Sequence, residues 1–124
     1  MSKIRTLRTR REIDQVFTRG IRRRGGLLSI AALPRAAGEQ RRALFVTSKK
    51  VGKAVVRNRV RRRLKEAYRC LEADLPPSDV AFVAQPRAAE ASYAALLSEM
   101  ARLLGKTGLY RPAGQRGAEP ELRR

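Results

Sequence analysis

The chain has 124 residues, enough for one ordinary domain and too few for a second independent core. It carries 29 Lys and Arg against 11 Asp and Glu, a net charge of +18 that would repel itself in a compact fold unless a polyanion were the usual partner. There is no histidine and a single cysteine, Cys70, which excludes an internal disulfide, a His or Cys metal cluster and any His-dependent triad.

No apolar run approaches the roughly 20 residues of a spanning helix, and no basic segment is backed by Trp or Phe for interfacial insertion. Nucleic acid is therefore the expected polyanion and a membrane is not an expected partner. The basic residues 1–11 are not followed by the apolar stretch and small-residue cleavage site of a secretory signal, so the expected location is the cytoplasm.

In chain order, Thr9 and Glu12 have capping-box spacing, Ile13, Val16 and Phe17 share a helical face, and Gly20 offers a stop, which predicts a helix over 9–19. Residues 21–26 read as a basic loop. The run 27–33, ended by Pro34, and the run 43–47 read as strands, joined through 34–42 and expected to pair antiparallel as a hairpin. An amphipathic helix is predicted over 54–71, where Val56, Val60, Leu64, Ala67 and Leu71 recur every three or four positions. Pro76 and Pro77 end it. A buried strand follows over 80–84, then a helix over 88–104 with Gly105 as its terminator. Cys70 is expected to pack as a small inert hydrophobe, with a reactive thiol as the alternative. The domain is thus expected to span 1–105, and 106–124, rich in Gly, Pro and charge, to be a disordered tail. The element order gives an α+β fold, a small mixed β-sheet packed with helices, whose strand-helix-strand crossover general rules would make right-handed if its strands are parallel.

The helix over 54–71 carries the clearest functional signal. At 100° per residue with Arg57 at zero, the apolar stripe lies within roughly 260° to 340°, while Asn58, Arg61, Arg62, Lys65 and Arg69 lie between about 40° and 140°. Arg59 and Arg63 flank the stripe, and Glu66 is the one carboxylate of the central turns. Like-charge pairs such as Arg57/Arg61 and Arg61/Lys65 each cost a few tenths of a kcal/mol. Phosphates offset that cost by releasing condensed counterions, and Arg offers them a two-pronged contact. A solvated basic face is the plainer reading, but such a face normally mixes both signs. Lys3, Arg5, Arg8, Arg10 and Arg11 fit a solubilising arm as well as they fit RNA contact.

The segment from Ser48-Lys49-Lys50-Val51-Gly52-Lys53 through Arg57-Asn58-Arg59 to Arg69 resembles the signature of the ribonuclease P protein family. Leu7, Glu12, Val16, Phe17 and Gly20 upstream, and the run from Asp79 to Pro86 downstream, extend the resemblance over about 4–104. It implies a two-layer α/β sandwich with an uncommon left-handed crossover, against the general rule. It also implies that the Arg-Asn-Arg helix and the loop before it meet a large catalytic RNA. The expected contacts are Ser48, Lys49, Lys50, Lys53, Arg57, Asn58, Arg59, Arg61, Arg62, Lys65 and Arg69.

By the same resemblance, the first helix and a sheet face form a cleft for the single-stranded 5′ leader of precursor tRNA, with Phe17 matching a cleft aromatic and Ile13 one turn before it. Spacing alone would put Phe17 in the core. Where family members often carry an aromatic on the first strand, this chain has Ala31 and Ala32, which shifts the expected leader contact from stacking toward phosphate and shape. The implied activity is removal of the leader by an RNA-based endoribonuclease, the RNA subunit holding the Mg2+ and the chemistry. The protein would contribute no catalytic residue, bind no metal itself and need no further protein partner. A ribosomal or ribosome-associated structural protein is the alternative of another class, against which the signature speaks. A DNA-binding protein ranks below it, for want of dimer heptads or a helix-turn-helix spacing.

Overall fold

The structure, a computed structural model, describes residues 4–110. Helix α1 (Arg10–Arg19) is followed by β1 (Ile21–Arg24), β2 (Leu28–Pro34), β3 (Arg42–Val46), α2 (Ala54–Leu71), β4 (Ser78–Ala84) and α3 (Tyr93–Lys106), with short 3-10 turns at Glu72–Asp74 and Pro86–Glu90. Among these residues no helix is long and apolar enough to cross a membrane.

The capping box at the start of α1 is formed: Thr9 Oγ1 accepts the Glu12 N–H at 3.1 Å, and Glu12 Oε1 accepts those of Thr9 and Arg8 at 3.2 and 3.0 Å. Helix α2 runs over the predicted residues. Its buried side chains are Val60, Leu64, Ala67, Tyr68 and Leu71, so Tyr68 joins the stripe and Val56 lies at its half-buried margin.

The strand order is β1-β2-β4-β3. The expected hairpin between 27–33 and 43–47 is therefore not formed: β4 lies between those strands, antiparallel to β2 and parallel to β3. The reason is the character of β4, whose side chains are buried on both faces except for the half-buried Val83; such a strand belongs at the centre of a sheet. The strand-helix-strand unit β3-α2-β4 thus joins adjacent parallel strands. Residues 21–24 form an edge strand paired to β2, not a loop. Three consecutive arginines hid it, because side chains at a sheet edge stay in water whichever way they point.

The predicted helix over 88–104 is also divided. Pro86–Glu90 makes a 3-10 turn, and α3 starts only after Ser92, whose Oγ accepts the Ala95 N–H at 3.1 Å. Gly105 lies inside α3, and the chain reverses at Gly108, where φ is +84°. Beyond Lys106, Thr107 is buried and Leu109 and Tyr110 pack against the core, so the ordered chain extends past 105; the remainder of the expected tail, 111–124, lies outside the described residues.

Alternation along the strands separates two faces. Leu28, Ile30 and Ala32 of β2 and Val80, Phe82 and Ala84 of β4 pack with α2 and α3, around an aromatic trio of Phe45, Tyr68 and Phe82 whose ring centroids lie 5.4 to 5.8 Å apart. On the opposite face, Ala31, Ala81, Leu33 and Leu44 receive Val16, Ile13 and Phe17 of α1. Burial pushes the Tyr68 phenol well above its ordinary range. Helix α1 covers one end of its sheet face and leaves the other end open.

Candidate nucleic-acid interface

Two basic surfaces are candidates for RNA contact. The first is the outer face of α2 with the loop before it. Val51 is buried and anchors that loop, whose turn is closed by the Val51 N–H to Ser48 O bond at 3.0 Å and the Gly52 N–H to Lys49 O bond at 3.2 Å. Ser48, Lys49, Lys50 and Lys53 are left exposed around it. Lys53 sits at the N-cap of α2 without a side-chain cap bond, and the first turn holds no acid, so the free N–H groups and positive dipole end of the helix add to the lysines. Arg61 ties helix to loop, donating to Asn58 Oδ1 at 2.9 Å and to Thr47 Oγ1 at 2.6 Å. Arg62 and Lys65 point to solvent, and Arg69 pairs with Glu66 at 2.9 Å. Ten of the eleven residues expected to contact RNA thus lie on the loop, the outer helix face or its Arg57 margin.

Arg59 is the exception. It turns inward, donating from Nη2 to the Ala89 carbonyl at 3.3 Å, and Arg63 one turn later donates to the Ala91 carbonyl at 2.8 Å. These arginines fasten α2 to the segment that leads into α3. The Nε atoms of Arg57 and Arg59 are buried and make no hydrogen bond among the described residues. Cys70 does not pack as an inert hydrophobe: it is exposed, with Sγ 3.3 Å from Tyr93 Oη, and that contact raises the Tyr93 phenol to about 12.

The second surface is the open end of the other sheet face. A cavity of about 440 Å³ is lined by Phe17, Arg22, Arg23, Arg24, Ser29, Ile30, Val83 and Gln85. Register explains the lining: Arg22 pairs with Ala31 and Arg24 with Ser29, so both arginines stand on the face that α1 partly covers. Phe17 closes one side, its ring against the apolar contact below and under the Arg22 guanidinium above. Ile13 is half-buried in the contact between α1 and the sheet and does not line the cavity. Neither alanine of β2 forms the floor: Ala31 is buried beneath α1 and Ala32 faces the main core. Arg22 and Arg24 are not legible as lining residues because the loop reading of 21–26 removes the pairing that aims them, and Ser29, Val83 and Gln85 because the expected hairpin keeps β2 and β4 apart.

A family model described as Ribonuclease P matches residues 1–108. The chain belongs to the ribonuclease P protein family. Among curated proteins it resembles the ribonuclease P protein component of Thermus scotoductus, 44% identical over 99 residues covering 77% of this chain and 58% of that one. The chain thus matches little more than half the length of these Thermus relatives. The ribonuclease P protein component of Brucella melitensis biotype 1 is 38% identical over 129 residues, covering 95% of this chain and 92% of its own. Of solved structures, the Staphylococcus aureus RNase P protein superposes with a TM-score of 0.78 at 16% identity, covering 88% of this chain and all of that one. The Thermotoga maritima RNase P protein gives 0.69 at 21% identity, covering 82% and 96%. The ribonuclease P protein fold therefore frames both surfaces, with the signature on α2 and the cleft on the opposite face of the sheet.

Proposed function

We propose that this protein is the protein subunit of a bacterial ribonuclease P and acts in the cytoplasm, binding the catalytic RNA through α2 and its preceding loop and the single-stranded 5′ leader of precursor tRNA through the cleft. The observation that carries this reading is the continuous cationic surface of α2 and the loop before it, where Lys49, Lys50 and Lys53 of the loop and Arg62 and Lys65 of the helix stand exposed. Such a face gains from every phosphate it neutralises and is penalised by its own repulsion otherwise.

The cleft suits a single strand. Arg22 and Arg24 offer cations to the backbone, and the Arg22 guanidinium, lying over the Phe17 ring, offers its outer face to a base. Chemistry in this reading belongs to the RNA, which holds the Mg2+ that activates water; in the protein, Glu12 and Asp79 converge on Arg42, which binds both. The protein positions the leader and lowers the magnesium needed by screening phosphate repulsion.

The test is cleavage of a 5′-extended precursor tRNA at low magnesium by a bacterial ribonuclease P RNA, with and without the protein. Protein-dependent cleavage at the mature 5′ end is expected. A magnesium requirement equal to that of RNA alone, with the protein folded and bound, would overturn the reading and direct attention to ribosomal RNA.

A further inference from the structure

The turn between β1 and β2 is held by a side chain from the other side of the sheet. Glu99 of α3 accepts the backbone N–H groups of Leu27 and Leu28 on one oxygen, Oε2, at 2.7 and 3.0 Å, and its other oxygen takes Arg102 at 3.2 Å. A carboxylate receiving two successive main-chain donors makes strong, charge-assisted bonds. The turn is shaped around it: a Cβ on Gly25 would lie 2.3 Å from Oε2, so any side chain there would push the carboxylate aside. The same turn is closed by Gly25 N–H to Leu28 O at 2.9 Å, and Leu27 O accepts the N–H of Gln85, a cleft residue, at 2.8 Å.

Arg24 immediately precedes Gly25, and β1 has a strand partner on one side only. Two adjacent glycines give the turn the most conformational freedom to lose on ordering, and an edge strand of four residues has little else to oppose fraying. Glu99 supplies that opposition. Its side chain is only 13% exposed, wedged between α3 and the turn.

We infer that Glu99 is a positioning residue for leader binding: by fixing the β1–β2 turn it keeps Arg22 and Arg24 on the open face of the sheet, where they grip the leader backbone. The inference rests on the cleft reading above.

The test uses holoenzyme assembled from a bacterial ribonuclease P RNA and this protein, with one precursor tRNA carrying a long leader and another whose leader is too short to reach the cleft. Glu99→Ala is expected to raise KM for the long-leader precursor about tenfold, the scale of one or two lost phosphate contacts. The short-leader KM, kcat and affinity for the catalytic RNA stay unchanged. Glu99→Gln, which keeps an acceptor oxygen at the same reach, restores most of the loss. In an Arg22→Ala/Arg24→Ala background, Glu99→Ala adds nothing further.

Amide exchange in the free protein reads the anchor separately: Leu27 and Leu28 lose protection in Glu99→Ala while amides of β4 keep theirs. Equal losses for both precursors, additivity with the arginine variants, or unchanged exchange at Leu27 and Leu28 each overturn the role of Glu99. A double arginine variant that binds long and short leaders as the wild type does would instead overturn the cleft reading itself.

Discussion

The guanidinium of Arg22 rests over the ring of Phe17, its central carbon 5.8 Å from the ring centroid, and its Nη1 donates to the Phe17 carbonyl at 3.4 Å. One arginine of the edge strand thus closes the aromatic side of the cleft in the free protein. The ring is already covered by a cation, so in the reading proposed above a base would meet ring and guanidinium as one unit.

Phe17→Ala should therefore reduce discrimination between precursor and mature tRNA by about tenfold, the loss of roughly one stacked base. Affinity for mature tRNA should hold. Because Phe17 is half-buried, the substitution should also cost about 2 kcal/mol of stability, below the 3 to 5 of a fully buried aromatic. Circular dichroism and urea unfolding of the variant separate the two effects, and a fully folded variant with undiminished discrimination would remove Phe17 from the site.

Arg59 and Arg62 lie three residues apart in α2 and should respond differently. Arg62 is exposed, so Arg62→Ala should weaken binding to the catalytic RNA and lower the slope of log affinity against log salt by about one, with stability unchanged. Arg59 also holds the Ala89 carbonyl, so Arg59→Ala should lose stability by about 1 kcal/mol in addition to any change of slope. Salt titrations of binding and paired unfolding curves check both. Unchanged slopes in both variants would refute the contact assignment.

How much of this was legible beforehand depended on what each signal records. Helix α2 and the start of α1 were readable because a 3.6-residue period and a capping box are local patterns that survive without tertiary context. The position of β4 was not, because a period of two says that a segment is a strand and nothing about its neighbours. Strand β1 was lost in its arginines, and with it the lining of the cleft. The inward turn of Arg59 and Arg63 leaves a trace: both angles fall beside the apolar stripe, where a long side chain can reach a neighbouring backbone, but the resemblance assigns Arg59 to RNA contact and the flanking position gives Arg63 no role.

Glu12 links stability to pH. The N–H groups of Arg8 and Thr9, followed by Arg42, hold its carboxyl down from 4.5 to about 2. A carboxylate depressed in the folded chain contributes stability that is fully present above its ordinary value and is lost as pH falls through the folded one. Unfolding midpoints should therefore fall as pH drops from 4.5 toward about 2, and Glu12→Gln should fall less over the same window. Thermal unfolding of the two proteins across that range checks the difference, and parallel curves would show that Glu12 is not the linked group.

Asp79 is the deepest carboxylate of the same network and the one whose loss should be felt most. Its side chain is 6% exposed and receives Arg42 in a two-pronged contact at 2.8 and 2.7 Å, with Arg35 at 3.6 Å. Arg42, thereby held even more firmly protonated, passes the contact on to Glu12 at the first turn of α1. Asp79→Ala should cost about 3 kcal/mol, since it leaves a largely buried guanidinium without its main counter-charge. If the cost is that of a stranded charge, replacing both partners, as in Arg42→Met/Asp79→Leu, should recover much of it, because two apolar side chains there leave no charge to desolvate. Urea unfolding of the three proteins distinguishes the cases: a double variant as unstable as the single one would mean that the pair works by fixing the geometry of α1 on the sheet, and leader discrimination should then fall with it.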